Sequence, residues 1–164
     1  MKIKQFLKGL IVIPLETPKS VLLIRLMAGL VFFWEGVLKF VYVNQGVGRF
    51  TKLDFPFPAE TAHFVAVGEI LGGLMLVLGC LTRLVSIYFI IEMIVAILST
   101  KIGVYFGTSP LPKPPAPPLI GFWAVLHEIR SDYAQIIGCL FLLIVGPGLL
   151  SIDAWISKRK YKTQ

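Results

Sequence analysis

Residues 21–42 read VLLIRLMAGLVFFWEGVLKFVY, a run interrupted by only three ionisable side chains, Arg25, Glu35 and Lys39. About twenty apolar residues suffice for a helix to cross the hydrocarbon core of a bilayer. A lone strand cannot satisfy its backbone there, so the stretch reads as a transmembrane helix. Each charge at the centre of such a helix costs about 2.5–3.5 kcal/mol, which is tolerated where the charge faces a bundle interior or a wet cavity. The apolar residues contribute about 5–9 kcal/mol toward insertion, nearly offset by these three charges. This helix therefore needs neighbours.

Three further stretches supply them: 61–80 (with HFVAVGEILGGLMLVLGC), 83–101 (with LVSIYFIIEMIVAILST) and 132–151 (with YAQIIGCLFLLIVGPGLLS). The chain of 164 residues is 56% hydrophobic and 15% charged, with a mean hydropathy of +0.81, which leaves no room for a separate soluble domain. The expected fold is all-α, an integral membrane four-helix bundle over residues 19–156, with spans at about 19–42, 61–80, 83–101 and 132–151. Residues 1–18, basic and then apolar but broken by Pro14 and Pro18, read as a short interfacial segment, and 157–164 as a basic tail.

Charge sets the orientation. Lys2, Lys4, Lys8, Lys19, Arg83, Lys158, Arg159, Lys160 and Lys162 fall on one side of an even number of spans, which places both termini in the cytoplasm of a bacterial or archaeal cell membrane. The net charge of +7 thus reads as a topology and anionic-lipid signal, not as a nucleic-acid surface. On the other side lie two longer connections. Residues 43–60 carry Gly46, Gly48, Pro56 and Pro58 and read as an ordered loop, and 102–131 contain SPLPKPPAPP, expected to be a stiff polyproline segment that either covers a pocket or acts as a spacer.

Glu35, Glu69 and Glu92 come from three different spans. At about 1.5 Å per residue they lie about 10, 12 and 13 Å below the outer helix ends, one common layer. Lys39 follows Glu35 by one turn, an i,i+4 pair. Three carboxylates against one ammonium leave excess negative charge in a medium of low dielectric, so at least one is expected to hold a proton near neutral pH as part of a coupled set. Such a cluster suits proton-coupled redox at a quinone-sized pocket or proton-coupled transport, while interhelical packing is the structural alternative. Glu35, Lys39, Glu69 and Glu92 are the candidate working groups, with Arg25, Trp34, Tyr88, Gln135 and Cys139 as candidate ligand contacts.

Other chemistries have no support. His63 and His127 both fall on the outer side and lack metal-site spacing, so no metal centre is expected. Cys80 and Cys139 sit at different depths, which precludes a disulfide between them. Nucleotide-binding and hydrolase motifs are absent.

RLMAGLVFFWEGVLKF (25–40), FPFPAETAHFVAVGEILGGLMLVLGCLTR (55–83) and GPGLLSIDAWI (146–156) resemble the DoxX family of small four-helix membrane proteins. The matching positions are Arg25, Gly36, Lys39, Glu69, Gly73, Arg83 and Asp153, and the Pro-rich connection is more elaborate than the family's usual short one. The resemblance implies a membrane subunit of oxidoreductase systems, some of which pass electrons from thiosulfate to quinone. The leading expectation is therefore a subunit of a quinone-linked oxidoreductase, with quinone as cofactor and with membrane lipid and redox partner subunits around it. A small proton-coupled carrier and a non-catalytic accessory subunit are the alternatives, and self-association stays open.

Overall fold

The computed structural model describes residues 17–112 and 116–162, of which 159–162 as backbone only. The expected interfacial segment falls on residues 1–16, which lie outside the described residues. Helices α1 (Val21–Val41), α2 (Val47–Lys52), α3 (Pro58–Leu78), α4 (Thr82–Thr100), α5 (Ile102–Phe106), α6 (Phe122–Glu128), α7 (Arg130–Val145) and α8 (Ile152–Lys162) make an all-α protein. Among the described residues α1, α3 and the run Thr82–Phe106 are long and apolar enough to cross a membrane.

The fourth expected span is shorter than the sequence suggested. At about 1.5 Å per residue the 16 residues of α7 reach about 24 Å, less than the hydrocarbon thickness of about 30 Å. It stops at Val145 because Gly146 takes φ 91° and Gly148 φ 78° on either side of Pro147, a geometry that cannot continue a helix. Residues 146–151 are consequently non-helical, and the chain resumes in α8.

The four long helices pack as two antiparallel pairs, α1 with α3 and α4 with α7. Gly29 and Gly73 explain how closely α1 and α3 approach. A Cβ on Gly29 would lie 2.7 Å from the Gly73 carbonyl oxygen, and one on Gly73 would lie 2.6 Å from that of Gly29. The backbones meet where small residues allow it. Between the pairs, Phe32 of α1 stacks on Phe89 of α4 with centroids 3.6 Å apart and rings nearly parallel. Ala28, Leu76, Cys139 and Leu142 complete this core, each fully buried.

The end of the bundle near the α3–α4 turn is tied by two charged residues. Arg25 is 1% exposed, and its guanidinium donates from Nε to the Leu76 carbonyl (2.8 Å), from Nη2 to Val77 (2.5 Å), and from Nη1 to Pro147 (2.9 Å) and Leu150 (2.5 Å). It thereby satisfies the free carbonyls at the end of α3 and in the irregular 146–151 stretch, which hydrocarbon could not. Asp153 accepts from the amides of Leu81 (2.9 Å) and Thr82 (3.1 Å), capping the start of α4 from the first turn of α8.

Replacing Arg25 by Met leaves several carbonyls unpaired at about 1–3 kcal/mol each, so the apparent melting temperature in detergent should fall sharply. An unchanged melting temperature would refute the tethering role. Asp153→Ala removes a cap worth about 1 kcal/mol, and hydrogen exchange should rise selectively at the Leu81 and Thr82 amides.

Candidate functional site

A cavity of about 480 Å³ lies between the two helix pairs. Its walls come from α1 (Val31, Phe32, Glu35, Lys39), α3 (Thr61, Phe64, Val65, Glu69), α4 (Tyr88, Ile91, Glu92, Met93, Val95, Ala96) and α7 (Asp132, Gln135). The Phe32–Phe89 stack adjoins its inner end, and the connection after α1 adds Arg49, Phe50, Leu53 and Phe55 on the outer side.

At the centre, Lys39 Nζ lies 2.8 Å from Oε1 and 2.6 Å from Oε2 of Glu69, whose side chain is 3% exposed. The sequence suggested an i,i+4 pair of Lys39 with Glu35; the ammonium instead crosses to α3. Gly36 accounts for this, since a Cβ there would lie 2.7 Å from the Ala66 carbonyl oxygen, so the two helices touch one turn below Lys39. A buried charge is tolerated when it is paired, and this pair joins α1 to α3 one turn from the Gly36 contact.

Glu92 comes from α4 and lies near the Glu69 carboxyl and the Tyr88 hydroxyl, all three lining the cavity. Yet Glu92 Oε2, the Tyr88 hydroxyl, Asp132 Oδ2 and Gln135 Oε1 are buried without a hydrogen-bond partner of standard geometry. Four such atoms face a single cavity, which leaves their pairing to water or a ligand held there. Tyr88 reaches its position because Gly68 presents no side chain opposite its hydroxyl.

The structure brings Glu35, Lys39, Glu69, Tyr88, Glu92 and Gln135 to this one cavity. Glu35 is an exposed side chain on the rim, one turn before Lys39 along α1. Three other residues singled out from the sequence lie elsewhere. Arg25 is occupied by the carbonyls described above, Trp34 is 58% exposed on the outside of α1, and Cys139 is fully buried in the apolar core. Cys80 and Cys139 are free thiols.

Sequence reading did not single out Arg49, Phe50 or Phe55. The 43–60 connection was expected to be ordered, but the covering role was weighed for the Pro-rich connection. Among the described residues of the 102–131 connection only Ser131, at its end, lines the cavity, and the covering segment is the first connection, built on α2. Phe50 is 9% exposed and packs on Phe55 at 5.2 Å. The available signal was the aromatic spacing in GRFTKLDFPF, which exceeds what a bare turn requires.

Comparison with known proteins agrees with this architecture. The DoxX family model matches residues 20–102, which carry Lys39, Glu69, Tyr88 and Glu92. The uncharacterized membrane protein Rv3486 of Mycobacterium tuberculosis is 39% identical over 150 residues, 88% of this chain and 85% of that protein. A protein of Bacillus subtilis named "Putative oxidoreductase CatD" is 25% identical over 139 residues, 85% of this chain and 88% of its own. No solved structure gives a significant match. With half the chain matched by the family model and a relative of this similarity covering most of it, the protein belongs to the DoxX family of membrane proteins.

Proposed function

We propose that this protein is a membrane subunit of a quinone-linked oxidoreductase, in which the cavity between the helix pairs holds a quinone head group and its carboxylates move protons. The observation that carries the reading is the set of four buried polar atoms that share the cavity of the Lys39–Glu69 pair and have no hydrogen bond of standard geometry. The residues present fit the group. A cavity of about 480 Å³ falls within the usual size of small-molecule sites, about 300–1,000 Å³, and such sites combine apolar walls with a few convergent polar groups. Lys39 and Tyr88 offer donors suited to carbonyl oxygens, and Glu92, Asp132 and Gln135 offer acceptors suited to hydroxyls. Similarity to a protein named as an oxidoreductase supports the redox class.

When bound, a quinone supplies two-electron, two-proton carriage between a donor protein and the rest of the membrane. The chain's own residues do the rest. Lys39 orients an oxygen of the head group and compensates the charge of Glu69. Glu92, beside Glu69 and Tyr88, takes or gives a proton, and Asp132, in the first turn of α7, carries it toward the outer surface. On this reading the termini are cytoplasmic and the cavity opens in the outer half of the cell membrane. Beneath the carboxylates, Phe32, Phe89, Ala28, Leu76 and Leu142 are each no more than 1% exposed. That apolar plug favours a head-group site over a permeation path.

Glu69→Gln preserves shape but removes the charge that faces Lys39. Affinity for decylubiquinone, followed by tryptophan quenching in detergent, should weaken by at least tenfold, about the worth of one charge-assisted hydrogen bond, in variant protein that is folded but less stable because Lys39 has lost its counter-charge. Unchanged affinity in the folded variant would support a packing role alone. Lys39→Met and Glu69→Met should each be destabilising, since each strands a buried charge, and the double variant should be more stable than either. Additive losses would show that the pair is not coupled.

A further inference from the structure

Helices α3 and α4 are antiparallel neighbours joined through a short turn at 79–81. Near that turn they are in close contact. A Cβ on Gly72 would lie 2.7 Å from the Phe89 ring and 3.3 Å from Val85, and Gly68 sits directly against the Tyr88 hydroxyl. One and two turns further out, the same helix faces carry Phe64 on α3 and Ile91 and Val95 on α4. Tight packing would bury all three. They are instead 70%, 57% and 46% exposed, although each of them also lines the cavity.

A side chain that lines a cavity and is also exposed on the outside stands at the rim of an opening. At about 1.5 Å per residue these three lie about 8–13 Å below the outer ends of their helices, a depth that faces hydrocarbon. The outer side of the cavity is covered by α2 and the Phe50–Phe55 contact, and its inner end adjoins the Phe32–Phe89 stack. Between α3 and α4 the rim is apolar, whereas the charged Lys39–Glu69 pair and Glu92 lie within and the exposed Glu35 stands on the α1 side.

We propose that the ligand enters sideways from the bilayer through this α3–α4 gap, and that its class is a ring-sized polar head carrying a hydrocarbon tail that stays in the gap. The inference rests on the head-group reading above and adds the route and the tail. A water-soluble ligand without a tail would have to pass α2 and would leave the apolar rim against lipid. A tailed ligand matches both parts of the site, with its head among the charges and its chain between Phe64 and Ile91.

The test is Ala96→Cys, a cavity-wall position, in protein carrying Cys80→Ser and Cys139→Ala and reconstituted in liposomes. Dodecyl methanethiosulfonate and its trimethylammonium-ethyl counterpart are compared, each normalised to its rate with a free thiol. The dodecyl reagent should label the cysteine, and the charged one should react about a hundredfold more slowly, the discrimination a fixed charge meets at bilayer depth. Adding Ile91→Trp at the rim should slow the dodecyl reagent several-fold. Equal labelling by the charged reagent would place the entrance at the water face, and no labelling by either would show the gap closed; both outcomes overturn the proposal. No quinone is used, so failure of the route is distinct from failure of the head-group reading, which decylubiquinone binding tests.

Discussion

An ionised group in hydrocarbon must be paired, and in this protein the Lys39–Glu69 contact meets that requirement between helices α1 and α3. The geometry of the outer half follows from it. For the ammonium to reach across, the two helices have to touch just below, and Gly29, Gly36 and Gly73 permit the approach. With α1 and α3 held together, α4 and α7 form a second pair, and the space between the pairs is too wide for side chains to fill. A cavity lined by carboxylates results. The inner half obeys the same rule by another route, since Arg25 finds its compensation in backbone carbonyls left free where α3 ends and where the chain is irregular.

Much of the fold was legible in the sequence because membrane spanning is a constraint of length and polarity. α1, α3 and α4 fall within a few residues of the expected spans, and of the acids they carry Glu69 and Glu92 turn inward as their cost requires, whereas Glu35 is exposed. The end of the fourth helix was less legible. Residues 146–151 remain apolar, so hydropathy extended the span to Ser151, whereas the backbone conformation of Gly146 and Gly148 ends the helix at Val145. Hydropathy measures the preference for lipid, and helix termination is set by φ and ψ. The Pro-rich connection drew attention by composition, yet α2 in the shorter connection is what packs over the cavity.

The candidate site was legible in membership more than in pairing. Periodicity puts Glu35 and Lys39 on one face of α1, and that placement holds, but it cannot show that the ammonium turns to a partner on α3. Such pairing depends on interhelical distance, which a single helix does not encode. Arg25 illustrates the same limit. An arginine on the inward face reads equally well as a ligand contact or as a tether, and only the tertiary position of Leu76, Val77, Pro147 and Leu150 distinguishes them. Trp34 and Cys139 lie one step around their helices from the cavity, one facing outward and the other into the core.

The central claim is that charges from separate helices enclose a space at membrane depth that takes a polar head group. An experimental structure of the protein in lipid nanodiscs made from native membrane tests it most directly. The account predicts ring-sized non-protein density in contact with Lys39, Glu92 and Gln135, extending toward the α3–α4 gap. A closed interior, with Glu92, Tyr88, Asp132 and Gln135 bonded to one another and no density among them, would contradict it.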